Sequence, residues 1–222
     1  MSTASHESAA ASAARYVVIE GPIGVGKTSL ARRLAERQAA ELVLEHAEDN
    51  PFLERFYRNP RTGAFPAQLY FLFQRSRQLQ QLRQSDLFVP LRFADFLLEK
   101  DRLFARVTLD DEEYALYEQV YERLAIDAPV PDLVVYLQAP VDVLQERIAR
   151  RGIRYEQGME REYLARLTDA YARFFHHYDA APLLIVNAGE VDFVGNDAHF
   201  AQLEVEVTRP RRGRHYFNPF RG

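Results

Sequence analysis

The run Gly21-Pro22-Ile23-Gly24-Val25-Gly26-Lys27-Thr28 fits G-x-x-x-x-G-K-[ST] in full, with Ser29 following. Glycines at this spacing let backbone N–H groups close around phosphate oxygens. A helix starting at the end of the loop adds positive potential. Lys27 is a point charge for β- and γ-phosphates, and the Thr28 hydroxyl is a Mg²⁺ ligand. A chance glycine turn is the competing reading. The strand-like Tyr16-Val17-Val18-Ile19 before the loop and the helical pattern after it argue against chance. The motif indicates a nucleoside triphosphate and leaves the acceptor open. A GTPase would carry an N-K-x-D motif to read its base, and none is present in a chain whose only lysines are Lys27 and Lys100. All other members of the 28 basic residues are arginine. Codon bias toward arginine is the simplest reading, and against it the two positions where lysine persists stand out.

The acceptor side is read from carboxylates and arginines. Glu45 ends the second expected strand and Asp95 the third. A carboxylate beside a triphosphate can take a proton from an attacking hydroxyl or hold magnesium. Glu45, Glu48 and Asp49 put three carboxylates in five residues there. A monophosphate acceptor brings about two negative charges. A like charge at ~4 Å costs on the order of 4 kcal/mol at an effective dielectric of 20. A neutral hydroxyl is thus the expected acceptor unless arginines cancel the charge. Gln68, Phe71 and Arg75 lie on one helix face at i, i+3 and i+7. They could present an amide, a ring and a guanidinium to a nucleobase; a solvated amphipathic face is the alternative. Arg147, Arg150, Arg151 and Arg154, around Gly152, read as a clamp over phosphates or as an exposed basic helix end. The His176-His177 pair lacks metal partners and reads as surface or packing.

These groups need elements to hold them. After the strand at 16–19, a helix is expected over 28–39, a strand over 41–44 and a helix from about 65 to 83. A strand within 87–94 and helices over 96–106 and 110–125 follow. Then come a strand over 132–138, a helix over 141–151, a helix over 163–178 and a strand over 183–186. Such alternation makes a parallel sheet with helices on both faces and ligands beyond the carboxyl ends of the strands. Residues 1–14, nearly all Ala and Ser, read as a disordered tail. The domain spans 15–208. Residues 209–222 read as a solvated basic tail, or as a docking segment ending in Tyr216 and Phe217.

Composition narrows the class. A length of 222 residues with 47% hydrophobic and 27% charged residues suits a folded α/β protein. The longest uncharged stretch, 62–74, is too short and polar to span a bilayer. A net charge of −4 argues against a general nucleic-acid binder. Zero cysteines exclude a disulfide scaffold and a thiolate metal site and fit a reducing, cytoplasmic compartment.

The chain resembles the deoxynucleoside kinases, more narrowly the bacterial deoxyadenosine/deoxyguanosine kinase-like branch. The resemblance rests on IEGPIGVGKTSL, LEHAEDNPFLERFY, FPAQLYFLFQR, ADFLLEKDRLFA, PDLVVYLQAP and RIARRGIRYEQG, in that order. It implies a P-loop kinase three-layer fold with a five-stranded parallel sheet, order 2-3-1-4-5, and an Arg-rich lid. Glu45 would be the general base on the sugar 5′-hydroxyl, and Tyr57 would bond the 3′-hydroxyl. Gln68 and Arg75, with Phe71 between them, would read the base, and Phe104 would stack on it. Arg147 and Arg151 would be lid arginines, and Glu156 a lid glutamate near the sugar. Asp192 and Phe193 would lie where the family holds the adenine of ATP. Thr28 with Asp95 would place Mg²⁺, and a homodimer is implied. Two departures stand out. Asp95 is followed by Phe96 and Leu97 rather than Arg-Ser; Lys100, one turn on, either takes part of the missing arginine's role or contacts the base. A third lid arginine of the family falls near Ile153, with Arg154 one place away.

The expected activity is transfer of the ATP γ-phosphoryl to the 5′-hydroxyl of a deoxynucleoside, purines ahead of pyrimidines. A nucleoside monophosphate kinase of the thymidylate kinase type and a non-catalytic ATP-binding regulator are the alternatives. A pure sensor has no need for a base at position 45.

Overall fold

A computed structural model describes residues 15–84, 91–124 and 128–218. The elements are β1 (Tyr16–Glu20), α1 (Lys27–Arg37), β2 (Glu41–Val43), α2 (Leu53–Arg58), α3 (Pro60–Gln84), β3 (Arg92–Ala94), α4 (Lys100–Thr108) and α5 (Asp111–Leu124). After them come β4 (Leu133–Gln138), α6 (Val141–Arg151), α7 (Arg161–His177), β5 (Leu183–Asn187), α8 (Asp197–Thr208) and β6 (Arg214–Phe217). All five strand pairings are parallel, and the order is β2-β3-β1-β4-β5-β6. The order of the first five strands is the one the resemblance implies.

β1 lies inside the sheet, and its side chains alternate between two cores. Val17 and Ile19 pack with Leu30 and Leu34 of α1, Leu144 of α6 and Leu203 of α8. Val18 packs on the other face with Leu103 of α4 and with Leu167, Tyr171 and Phe175 of α7. Glu20 continues the Val18 side of the alternation, so a carboxylate emerges among α4 and α7.

The sheet has six strands rather than the expected five. The sixth, Arg214–Phe217, comes from the segment expected to be a basic tail. Its arginines suggest solvation, and Arg214 is exposed, but its guanidinium reaches back to α7. One Nη group donates to the carbonyls of Phe175 (2.9 Å), His176 (2.8 Å) and Tyr178 (3.3 Å) at the end of α7. Those carbonyls have no partner within the helix, and a cation suits a helix C-terminus. Phe217 packs on the first core, while Tyr216 is 69% exposed. Arg214→Ala is expected to lower stability by about 2 kcal/mol, read by chemical denaturation.

Further differences concern element boundaries and two helices. The third strand occupies only Arg92–Ala94, and residues 87–90 lie outside the described residues, as do 1–14, 125–127 and 219–222. Helix α4 starts at Lys100 rather than 96, and the Leu97 N–H before it donates to Glu20. Periodicity alone does not predict helices α2 and α8. α3 starts at Pro60 and tolerates Pro66. Proline cannot donate to the carbonyl four residues back, and Arg55 Nη2 fills the Thr62 carbonyl instead at 2.5 Å.

Candidate active site

The phosphate loop joins β1 to α1, as the motif requires. Gly24 and Gly26 are backbone necessities, with φ of +82° and +105°. A Cβ on Gly24 would stand 2.9 Å from the Leu144 carbonyl oxygen, and one on Gly26 3.0 Å from the Phe193 ring. The Lys27 ammonium is half-buried and donates to the Gly21 carbonyl at 2.7 Å and to that of Pro22 at 3.2 Å. Burial lowers its pKa to about 8, opposed most by Glu20.

Two cavities meet at this loop. The first, about 370 Å³, is lined by Glu45, Tyr57, Gln68, Phe71, Arg75, Asp95, Lys100, Phe104 and Glu156, all nine residues expected on the acceptor side. The second, about 520 Å³, is lined by Arg147, Asp192 and Phe193, expected on the donor side. Gly24, Lys27, Thr28, Ser29 and Arg151 line both. A phosphoryl group crossing from one cavity to the other therefore passes Lys27, Thr28 and Arg151.

A chain of charges runs along the acceptor side. Arg75 forms ion pairs with Glu45 and with Asp101. The Asp101 contact lacks hydrogen-bond geometry. Lys100 Nζ donates to Glu45 Oε2 at 2.8 Å and stands 3.6 Å from Glu20 Oε2. Burial pushes Lys100 down to about 8 and Arg75 down to about 10. Lys100 therefore stands beside Glu45 in the wall of the first cavity. The Arg75 guanidinium also covers the Phe71 ring, 4.8 Å from its centre. Gln68 is buried at the cavity wall, and its amide makes no hydrogen bond among the described residues.

Asp95 braces the two sides. Its Oδ2 accepts from the Thr28 hydroxyl at 2.5 Å and its Oδ1 from the Glu45 N–H at 2.7 Å. The lid reaches over the acceptor: Arg151 pairs with Glu156, and Tyr155 stacks on Tyr57 at 5.7 Å. Burial raises the Tyr57 pKa well above its ordinary value. Ile153 lines the acceptor cavity while Arg154 is exposed, so Ile153 is the one pointing inward.

Some expected side chains take other geometries. Arg147 spends its fork on backbone, donating to the Val25 carbonyl at 3.1 Å and the Ala188 carbonyl at 2.8 Å. It staples the phosphate loop to the end of β5. The Phe193 ring is 2% exposed and supports Gly26 from beneath. Arg33 Nη1 holds the Phe193 and Val194 carbonyls.

Charge repulsion against a monophosphate is weaker than the sequence suggests. Asp49 is exposed and lies off the cavity, and Glu45 is matched by two cations. Arg32, Arg75, Lys27, Lys100 and Arg151 all line the acceptor cavity. Sequence reasoning assigns no role to Glu20 or Asp101. A glutamate closing an otherwise apolar strand immediately before the loop was the available signal for Glu20; Asp101 had none beyond adjacency to Lys100.

Comparison with known proteins agrees with this geometry. The deoxynucleoside kinase family model matches residues 17–209. The chain is 33% identical over 202 residues to a deoxyguanosine kinase of Bacillus subtilis, covering 87% of this chain and 96% of that one. It is 30% identical over 196 residues to a deoxyadenosine kinase of Lactobacillus acidophilus, covering 82% and 89%. The solved deoxyadenosine kinase of M. mycoides with bound dATP superposes with a TM-score of 0.77 at 26% identity, over 87% of this chain and 100% of that one. A phosphate loop opening onto two cavities, inside a family match that covers most of the chain, leads to one conclusion: this chain belongs to the deoxynucleoside kinase family and is a phosphotransferase.

Proposed function

We propose that the enzyme transfers the γ-phosphoryl group of ATP to the 5′-hydroxyl of a deoxyribonucleoside, purines ahead of pyrimidines. The observation that carries this reading is the placement of the Glu45 carboxylate, held by Arg75 and Lys100 in the cavity that meets the phosphate loop. The 5′-oxygen attacks Pγ, the bond from Pγ to the bridging oxygen breaks, ADP leaves, and the hydroxyl proton passes to Glu45. Lys27 and Arg151 stabilise the charge on the moving group. Arg147 braces the loop from the donor side. Lys100 faces the same acceptor oxygen as Glu45. Tyr57 and Glu156 serve the 3′-hydroxyl, Gln68 and Arg75 read the base, and Phe71 and Phe104 flank it. Asp192 and the backbone at Phe193 border the adenine.

Thr28 and Asp95 fit Mg²⁺, because they offer hard oxygens within 2.5 Å of each other at the phosphate loop. Among the described residues no cluster of three or more His, Cys, Asp or Glu could cage a metal. That suits an ion carried largely by nucleotide phosphates, which would neutralise phosphate charge. No helix among the described residues is long and apolar enough to cross a membrane. The cytoplasm is the compartment this reading expects, and a homodimer the assembly.

The direct test is a panel of the four deoxynucleosides and their monophosphates with Mg-ATP. Purine deoxynucleosides should give the highest kcat/KM; a monophosphate exceeding every nucleoside would move the enzyme to the thymidylate kinase type. Gln68→Ala should raise KM unequally across the four bases, because a hydrogen-bonding site discriminates through the partner left unpaired. Equal losses for all four would make Gln68 a packing residue.

A further inference from the structure

Glu20 closes β1 and has no exposed surface. A buried carboxylate is costly unless it is fully partnered, and this one is. Oε1 accepts from the Gly21 N–H and from the Tyr171 hydroxyl, both at 2.9 Å. Oε2 accepts from the Leu97 N–H at 2.9 Å and stands 3.6 Å from Lys100 Nζ. These partners belong to the first residue of the phosphate loop, to α7, to the segment after β3 and to the start of α4. One side chain thus gauges the donor loop against the acceptor wall.

Lys100 has a flexible four-carbon stem and a point charge, so its head goes where counter-charges hold it. Two carboxylates face it, Glu45 at 2.8 Å and Glu20 at 3.6 Å. Arg75 and Asp95 also act on it, the first disfavouring its charge and the second favouring it, and the Glu20 carboxylate is the largest influence offsetting burial.

We propose that Glu20 is a positioning residue for phosphoryl transfer: it holds the Lys100 ammonium against Glu45, so that base and cation meet one acceptor oxygen in register with the phosphate loop. This rests on the roles given to Glu45 and Lys100 above.

The test is a double-mutant cycle on kcat with Glu20→Gln, Lys100→Met and their combination, each with KM for ATP and deoxynucleoside and a Tm. An amide at position 20 would keep the shape and one acceptor oxygen but would not attract an ammonium. Glu20→Gln is expected to lower kcat roughly tenfold with both KM values within about twofold, and the double variant to be no slower than Lys100→Met alone. Additive losses in the double variant would overturn the proposal, since a merely structural Glu20 acts independently of Lys100. So would a fall in kcat for Tyr171→Phe as large as that for Glu20→Gln, which would mean general loosening of α7 against the loop. Wild-type kcat in Lys100→Met would overturn both the proposal and the role of Lys100 beneath it. If Glu20→Gln is recovered unfolded, Glu20→Asp keeps the charge and shortens the reach. It is expected to lower kcat severalfold, and wild-type kcat there would also overturn the proposal.

Discussion

Lys27→Ala is expected to lower kcat by roughly 10³-fold or more, the scale set by removing a charge-stabilising donor from a preorganised site. Lys27 is half-buried where the two cavities meet, and its Nζ donates to the Gly21 and Pro22 carbonyls. Arg147, on the donor side, has committed both Nη groups to backbone carbonyls, and Arg151 pairs with Glu156. Lys27→Arg should fail almost as badly, because a planar guanidinium does not fit where an ammonium is enclosed. In a chain that uses arginine at nearly every other basic position, this is a specific claim. Single-turnover kinetics with a Tm measurement separate lost chemistry from lost folding. Near wild-type kcat in a folded Lys27→Ala would remove the phosphate loop from the reaction.

Glu45→Gln is expected to keep deoxynucleoside KM within severalfold and to lower kcat by roughly 10²–10⁴-fold, the range for a lost general base. The amide keeps the shape and one acceptor for Arg75 or Lys100, and loses the proton acceptor. Asp95 lines the same cavity, yet each of its oxygens already accepts one hydrogen bond, from the Thr28 hydroxyl and from the Glu45 N–H. Rescue by Asp95 would therefore require breaking the brace between loop and acceptor. An unchanged kcat would mean that the reaction needs no base at position 45.

What the sequence by itself determined is local chemistry and pattern. The phosphate loop is one contiguous motif, and the Gln68, Phe71 and Arg75 face is set by helical spacing; Glu45 and Asp95, expected to end strands, lie two residues past β2 and one past β3. Each depends on neighbours within a turn or two, so each is visible without the fold, and the matching pieces made the family legible. Only the tertiary structure decided who pairs with whom. Arg75 meets Glu45 from 30 residues away, Lys100 from 55, Thr28 meets Asp95 across 67, and Tyr171 meets Glu20 across 151. Charge is where this matters most. Three carboxylates in five residues read as a repulsive pocket, but the field in a cavity depends on every group facing it. Asp49 faces solvent while Lys100 and Arg75 face Glu45. The sixth strand escaped for the same reason: Arg214 has the composition of a solvated tail, and becomes structural only because α7 ends where its guanidinium can reach three carbonyls.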